Sequence, residues 1–260
     1  MDRNALCFCG SGKKQKRCHP DVEAASAFAE LIQLYQELHA HLASGKDIGC
    51  CGAGCAYCCS HVFSVTQVEF LYACYGWEKL YGNIDRLFQR CEEIAIQCVR
   101  ENPHFLRAVE ENLPGSVEEF CETADKQAKL FEWMRIPCVF LDGETQMCKV
   151  YEYRPLVCRY HGQGVLKEKG MTEFLVCEKL GYVPTEDLVD LLPLGEKIVK
   201  LPMFHSSKFH VSMLDRIYPV FWYGALFSSG KDNYGYKSRV YRSVSKDAYG
   251  DELFQRYLKS

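Results

Sequence analysis

Cys50-Cys51-Gly52-Ala53-Gly54-Cys55-Ala56-Tyr57-Cys58-Cys59 places five thiols in ten residues. The stretch has no helical or strand periodicity and is too rich in cysteine and glycine for regular structure, so it reads as a binding loop. Its small residues let the backbone wrap an ion or cluster and leave amide N–H groups free to stabilise thiolate and sulfide charge. Far downstream, Cys138, Cys148 and Cys158 recur with nine residues between each pair. Ligation by four or more thiolates selects soft metals, chiefly iron–sulfur clusters or zinc.

The segments around this loop carry helical patterning. Val22, Ala25, Phe28, Ala29, Leu31, Ile32, Tyr35, Leu38 and Leu42 predict an amphipathic helix over 22–43, with Asp21 as N-cap and Ser44-Gly45 as its stop. Thr66-Gln-Val-Glu69 is a capping box that opens a helix to Tyr75. A further helix is predicted over 83–100, and Ser116-Val-Glu-Glu119 opens another to Met134, which Pro137 keeps from continuing. Val139-Phe-Leu, the turn Asp142-Gly143 and Met147 to Val150 predict a short hairpin. Beyond Arg159 the signals weaken to a strand at Phe174–Cys177 and short helices near Thr185–Leu192 and Leu194–Leu201. The tail from Phe204 holds seven tyrosines between Tyr218 and Tyr257 and takes no clear pattern. The expected fold is mainly α: a compact helical domain over 21–204 with small β-hairpin pieces around the cysteine cluster, a zinc knuckle over 1–20, and an aromatic-rich extension over 205–260 packed on the main domain.

Composition limits the function classes. The 260 residues are 48% hydrophobic and 25% charged, enough apolar material for a packed core. A net charge of −3 argues against a surface built throughout for nucleic acid. Sixteen cysteines suggest disulfides only in an oxidising compartment. Met1 to Pro20 has no apolar run of signal-peptide type, so a reducing compartment, the cytoplasm, is expected. The longest apolar stretch, Ile217 to Phe227, is 11 residues and is interrupted by Pro219 and Gly224, against roughly 20 needed to span a bilayer. No membrane insertion is expected.

A second constellation lies at the start. Cys7-Phe-Cys9-Gly-Ser-Gly-Lys-Lys-Gln-Lys-Arg-Cys18-His19 offers three sulfurs and one imidazole, a closed tetrahedral zinc shell. Gly10 and Gly12 suit the tight turn between the pairs. So short a segment cannot fold by burial, and zinc would supply on the order of 10 kcal/mol of its folding free energy. Residues 1–20 carry Arg3, Lys13, Lys14, Lys16 and Arg17 against Asp2, a net of +4. That charge favours an acidic protein surface or nucleic-acid phosphate as partner.

The stretch Asn4 to His19 resembles the SEC-C motif, the zinc-binding tail of the SecA translocation ATPase, with Leu6 and Phe8 where prolines are usual and Gln15 where tyrosine is common. By that resemblance Cys7, Cys9, Cys18 and His19 are zinc ligands. Residues 50–161 resemble the YkgJ-type cysteine-cluster family, with its Cys-x-x-Cys-x-x-Cys-Cys signature and the closing stretch Cys138-Val-Phe-Leu-Asp-Gly, Met147-Cys148-Lys-Val-Tyr151-Glu152-Tyr-Arg154-Pro155-Leu-Val-Cys158-Arg159. The resemblance implies Cys51 (or its neighbour Cys50), Cys55, Cys58, Cys59, Cys138, Cys148 and Cys158 as cluster ligands. Cys177 is a candidate eighth. Larger relatives, the flagellin lysine methylases, carry a cluster, which favours a 4Fe-4S centre over additional zinc ions sharing thiolates. Tyr151, Glu152, Arg154 and Arg159 fall between or beside ligands, where arginine would offset thiolate charge. His161 reads as a loop residue, and Cys74, Cys91, Cys98 and Cys121 as plain core.

The predicted function is a metal-binding adaptor or an iron- or redox-responsive accessory protein. The alternatives are a cluster-dependent protein lysine methyltransferase and a metal-delivery chaperone. The enzyme has little support, because no strand followed by Gly-x-Gly-x-x-Gly and no nucleophile–base pair is present.

Overall fold

The computed structural model describes residues 4–45, 54–101, 126–127, 129, 131, 134–168, 171–177, 179, 188–191, 193–194, 197 and 218–227. The protein is helix-rich with few, short strands, as the sequence predicts. It divides into two units that interleave along the chain. Unit 1 takes its described residues from 1–52 and 156–201, and unit 2 from 53–155 and 202–250.

Unit 1 starts with the knuckle and its one-turn helix α1, Gln15–Cys18. Helix α2 spans Ala27–Ala43 and buries Ala27, Phe28, Ala29, Leu31, Ile32, Leu34, Tyr35 and Leu38 along one stripe. It begins five residues later than the periodicity suggests. Ser26, not Asp21, is the N-cap: its hydroxyl oxygen accepts the Ala29 N–H at 3.2 Å. Residues 20–25 are drawn into turns instead, because Val22 is buried and tied to the knuckle through its carbonyl.

The rest of unit 1 comprises α5, Val157–Tyr160, and a three-stranded sheet. Strands β2 (Gln163–Glu168) and β3 (Met171–Val176) form an antiparallel hairpin from Gln163↔Val176 to Glu168↔Met171. Strand β4, Val189–Asp190, adds to β2 in parallel. The weak strand signal at Phe174–Cys177 is thus the second arm of a hairpin. The helix expected near Thr185–Leu192 is instead strand at 189–190, where backbone pairing with β2 overrides helical periodicity. The guanidinium of Arg159 on α5 stacks over the Tyr35 ring of α2 at 3.8 Å, and His41 Nε2 donates to the Asp190 carbonyl at 2.6 Å.

Unit 2 contains α3, Gln67–Tyr81, and α4, Asp85–Glu101. The cap of α3 is the one predicted: the Glu69 carboxylate accepts both the Thr66 N–H at 2.9 Å and its hydroxyl at 2.7 Å, and both residues are buried. The tail, unreadable by periodicity, supplies β5 (Tyr218–Pro219) and α6 (Val220–Phe227). Strand β5 pairs with β1, Ser64–Val65, and α6 packs along α4. Tyr218, Trp222 and Tyr223 are essentially fully buried, and Tyr223 stacks on Phe70 at 5.3 Å. Burying each such ring contributes about 3 kcal/mol. Gly224 permits the close approach of α4, since a Cβ there would collide with the Cys91 side chain. The start of the helix predicted from Ser116 lies outside the described residues, while residues 126, 127, 129 and 131 are helical. Among the described residues no helix is long and apolar enough to cross a membrane.

Candidate metal centre

Backbone pairing builds the knuckle from two short arms. The Cys7 N–H donates to the Lys13 carbonyl at 2.8 Å, Leu6 bridges Lys14, and the Gln15 N–H donates to Ala5 at 2.9 Å. The turn between the arms passes through Gly10 at φ 75° and Gly12 at φ 70°, left-handed conformations that glycine adopts without penalty. Helix α1 then presents Cys18 and His19 to the pair Cys7 and Cys9. The three Sγ atoms and one His19 ring nitrogen all lie within 4.8 Å of one another. Cys7 Sγ lies 3.2 Å from His19 Nδ1, and Cys9 Sγ lies 3.5 Å from Cys18 Sγ. With zinc bonds of about 2.3 Å to sulfur and 2.0–2.1 Å to nitrogen, the edges of a tetrahedral shell are about 3.8 Å and 3.5 Å. The donor set and its spacing therefore fit a metal such as zinc.

The surroundings match that chemistry. Cys7 and Cys9 are buried, Cys18 and His19 half-buried. Burial pushes the Cys7 thiol up to about 12, and the neighbouring Cys9 and Cys18 thiols reinforce the rise. Burial, the largest single influence, raises Cys9 too, but the Ser11 hydroxyl and N–H together with the Cys7 and Cys18 thiols hold it below its ordinary value. Ser11 Oγ also lies 3.3 Å from Cys18 Sγ. Phe8 packs its ring on the His19 imidazole, centroids 5.2 Å apart. Outside this shell Lys13, Lys14, Lys16 and Arg17 are exposed, as is Leu6 at 71%.

Residues 3–19 match the SEC-C motif. No curated protein and no solved structure matches the chain significantly. The SEC-C match coincides with the one group of three or more metal-ligand side chains that the structure gathers among its described residues. The protein thus carries a SEC-C knuckle with a ligand set suited to a metal such as zinc.

The other predicted ligands are more dispersed. Cys50 and Cys51 lie outside the described residues, as does Cys121. In unit 2, Cys58 and Cys59 open a one-turn 3-10 helix, Cys58–Ser60. The Cys138 N–H donates to the Cys59 carbonyl at 2.7 Å and the Ile136 N–H to Ser60 at 2.9 Å, so two distant segments are paired through their backbones. The predicted 139–150 hairpin is present in minimal form: Leu141 bridges Cys148, and the Asp142 carboxylate accepts the Glu144 and Thr145 N–H groups. The Cys58 thiol is raised by its hydrogen-bonded neighbour Cys59 and by burial, with the Arg154 charge opposing. Burial pushes Cys138 up to about 12, with smaller contributions from Cys148 and Cys58. Cys58, Cys59, Cys138 and Cys148 thus share one neighbourhood without closing into a shell like the knuckle's. Cys55, half-buried, precedes them in the same unit.

Arg154 stacks over Tyr151 at 3.9 Å and its charge reaches Cys58. Glu152 is exposed. Cys158 lies on α5 in unit 1, where its neighbour Arg159 is engaged with Tyr35. His161 is the residue ending α5, and Cys177 is buried just after β3. Cys74, Cys91 and Cys98 are all buried on α3 and α4. Sequence reasoning missed Arg90, whose charge opposes the rise at both Cys91 and Cys138. It also missed Gln15, although the departure from tyrosine there was the available signal.

Proposed function

We propose that the protein is a metal-binding adaptor. The observation that carries this reading is the convergence of the Cys7, Cys9, Cys18 and His19 donor atoms within 4.8 Å of one another inside the SEC-C match. Zinc, when bound, closes a four-ligand shell with no open position, which makes the site structural rather than catalytic. The chain's own residues do the rest. The paired arms set the two thiol-bearing turns, α1 delivers Cys18 and His19, and Ser11 donates toward sulfur.

The exposed cations of the knuckle, with Leu6 beside them, form the docking face in this reading, directed at an acidic protein surface or nucleic-acid phosphate. A second, thiolate-ligated centre is assigned to unit 2 on Cys55, Cys58, Cys59, Cys138 and Cys148. Arg154 compensates charge at Cys58. The resemblance to the YkgJ-type family and the shared neighbourhood of these thiols support a 4Fe-4S cluster there in preference to further zinc. Location in the cytoplasm is part of the same proposal, since both centres need reduced thiols.

Anaerobic purification followed by zinc, iron and sulfide analysis and an optical spectrum tests both centres. The expected result is one zinc per chain together with iron and sulfide in equal amounts and a brown protein. A colourless, iron-free protein holding several zinc ions would replace the cluster by zinc. A metal-free yet folded protein would remove the proposal altogether.

A further inference from the structure

The knuckle is not a free appendage within its unit, and two residues that depart from the SEC-C pattern hold it. Gln15 is buried, and its side-chain amide donates to the His19 carbonyl at 2.8 Å and to the Val22 carbonyl at 2.7 Å. The His19 N–H returns to the Gln15 carbonyl at 3.0 Å, and the Val22 N–H donates to the His19 carbonyl at 3.3 Å. Phe8 covers the His19 ring, and the Phe8 carbonyl accepts Gln33 Nε2 of α2 at 3.1 Å. His19 is therefore fixed at its backbone by Gln15 and at its ring by Phe8, and both holdfasts lead to the residues that enter or line α2. Tyrosine at position 15 would present one hydroxyl and could not donate to two carbonyls at once. Proline at position 8 would leave the imidazole without an aromatic cover.

We infer that Gln15 and Phe8 are positioning residues for the imidazole ligand, and that they couple zinc occupancy to the start of α2, making the site exchange-inert. The inference rests on the zinc reading above. Bound zinc would fix the His19 ring, and Gln15 passes that constraint to Val22, four residues before the Ser26 cap. Loss of the metal frees His19 and loosens 19–34. A labile site, such as a delivery chaperone needs, would lack this reinforcement.

The test uses the whole 260-residue chain, with zinc release to an excess of a chromogenic chelator and amide hydrogen exchange over residues 19–34, zinc-loaded and zinc-free. Gln15→Leu and Phe8→Leu are compared with wild type, and cobalt substitution reports the ligand field in each. The expected results are slower exchange over 22–34 when zinc is bound and release about tenfold faster in each variant, the usual scale for losing an outer contact to a metal ligand. The cobalt spectrum should shift in Phe8→Leu, where the imidazole gains freedom. If Gln15→Leu does not fold, Phe8→Leu carries the comparison. Unchanged release and an unchanged cobalt spectrum, or zinc-dependent protection that stops at His19, would overturn the inference while leaving the zinc reading intact. A wild-type chain that takes up no zinc would overturn both.

Discussion

The knuckle and the thiols of unit 2 use the same side chain in opposite ways. In the knuckle four candidate ligand side chains within thirteen residues are assembled by local backbone pairing, and their donor atoms lie within 4.8 Å of one another. In unit 2 the contributing segments are some eighty residues apart in the chain (Cys58 and Cys138), and backbone bonds such as that from Cys138 to Cys59 bring them into one region. Burial raises the Cys138 thiol, so a soft metal must displace its proton to bind there. A closed, local site can be encoded by spacing alone. A distributed one depends on the fold that carries it.

The largest effect expected is on the local site. Chelating zinc from the full chain should abolish amide protection over residues 5–19, because a metal contribution on the order of 10 kcal/mol is removed from a segment with no core of its own. Protection in α3 and α4 should persist. Protection kept throughout the knuckle would erase the contrast.

Next comes the distributed site. Cys138→Ser should reduce bound iron and sulfide by at least half with knuckle zinc unchanged, as read by metal analysis. Cys91→Ala should leave all metals in place and cost about 1–2 kcal/mol of stability as a core truncation. Iron lost equally from both variants would mean that Cys91 belongs with the ligands.

A smaller, purely packing effect is expected at the α4–α6 contact. Gly224→Ala sets a methyl group against the Cys91 side chain. Destabilisation of about 1–3 kcal/mol by urea titration follows from overpacking. No change would show that α6 yields without cost.

The smallest concerns the turn before Cys148. The backbone N–H of Thr145, then that of Glu144, lowers Asp142 to about 2 from an ordinary 3.8, with Lys149 assisting at 3.4 Å. A depressed carboxylate stabilises the fold above its unfolded value, and that contribution is lost as pH falls through about 2. Asp142→Asn should therefore flatten the fall in stability between pH 4 and 2 without altering zinc content. An unchanged acid profile would remove Asp142 from the account.

What the chain order revealed follows the same division. The knuckle ligands, the Thr66–Glu69 cap and the helices over α2, α3 and α4 were legible because each is set by residues close together in sequence. Helix α2 was misplaced at its start because the competing claim on Val22 comes from the Gln15 side chain, which no periodicity registers. Strand β4 read as helix for a related reason, since its pairing partner lies more than twenty residues upstream. The aromatic tail was opaque because α6 is apolar on all sides and shows no stripe, yet Trp222 and Tyr223 are core. In unit 2, the order of residues named the thiols and Arg154, whose charge reaches Cys58, but not Arg90, which arrives through tertiary packing.

Zinc counted per chain in matched preparations of wild type and Cys9→Ser bears most directly on the central claim. The variant is expected to hold one zinc fewer, with iron and sulfide the same in both. Equal zinc in the two proteins would contradict it, since the metal would then be bound without the Cys7, Cys9, Cys18 and His19 shell.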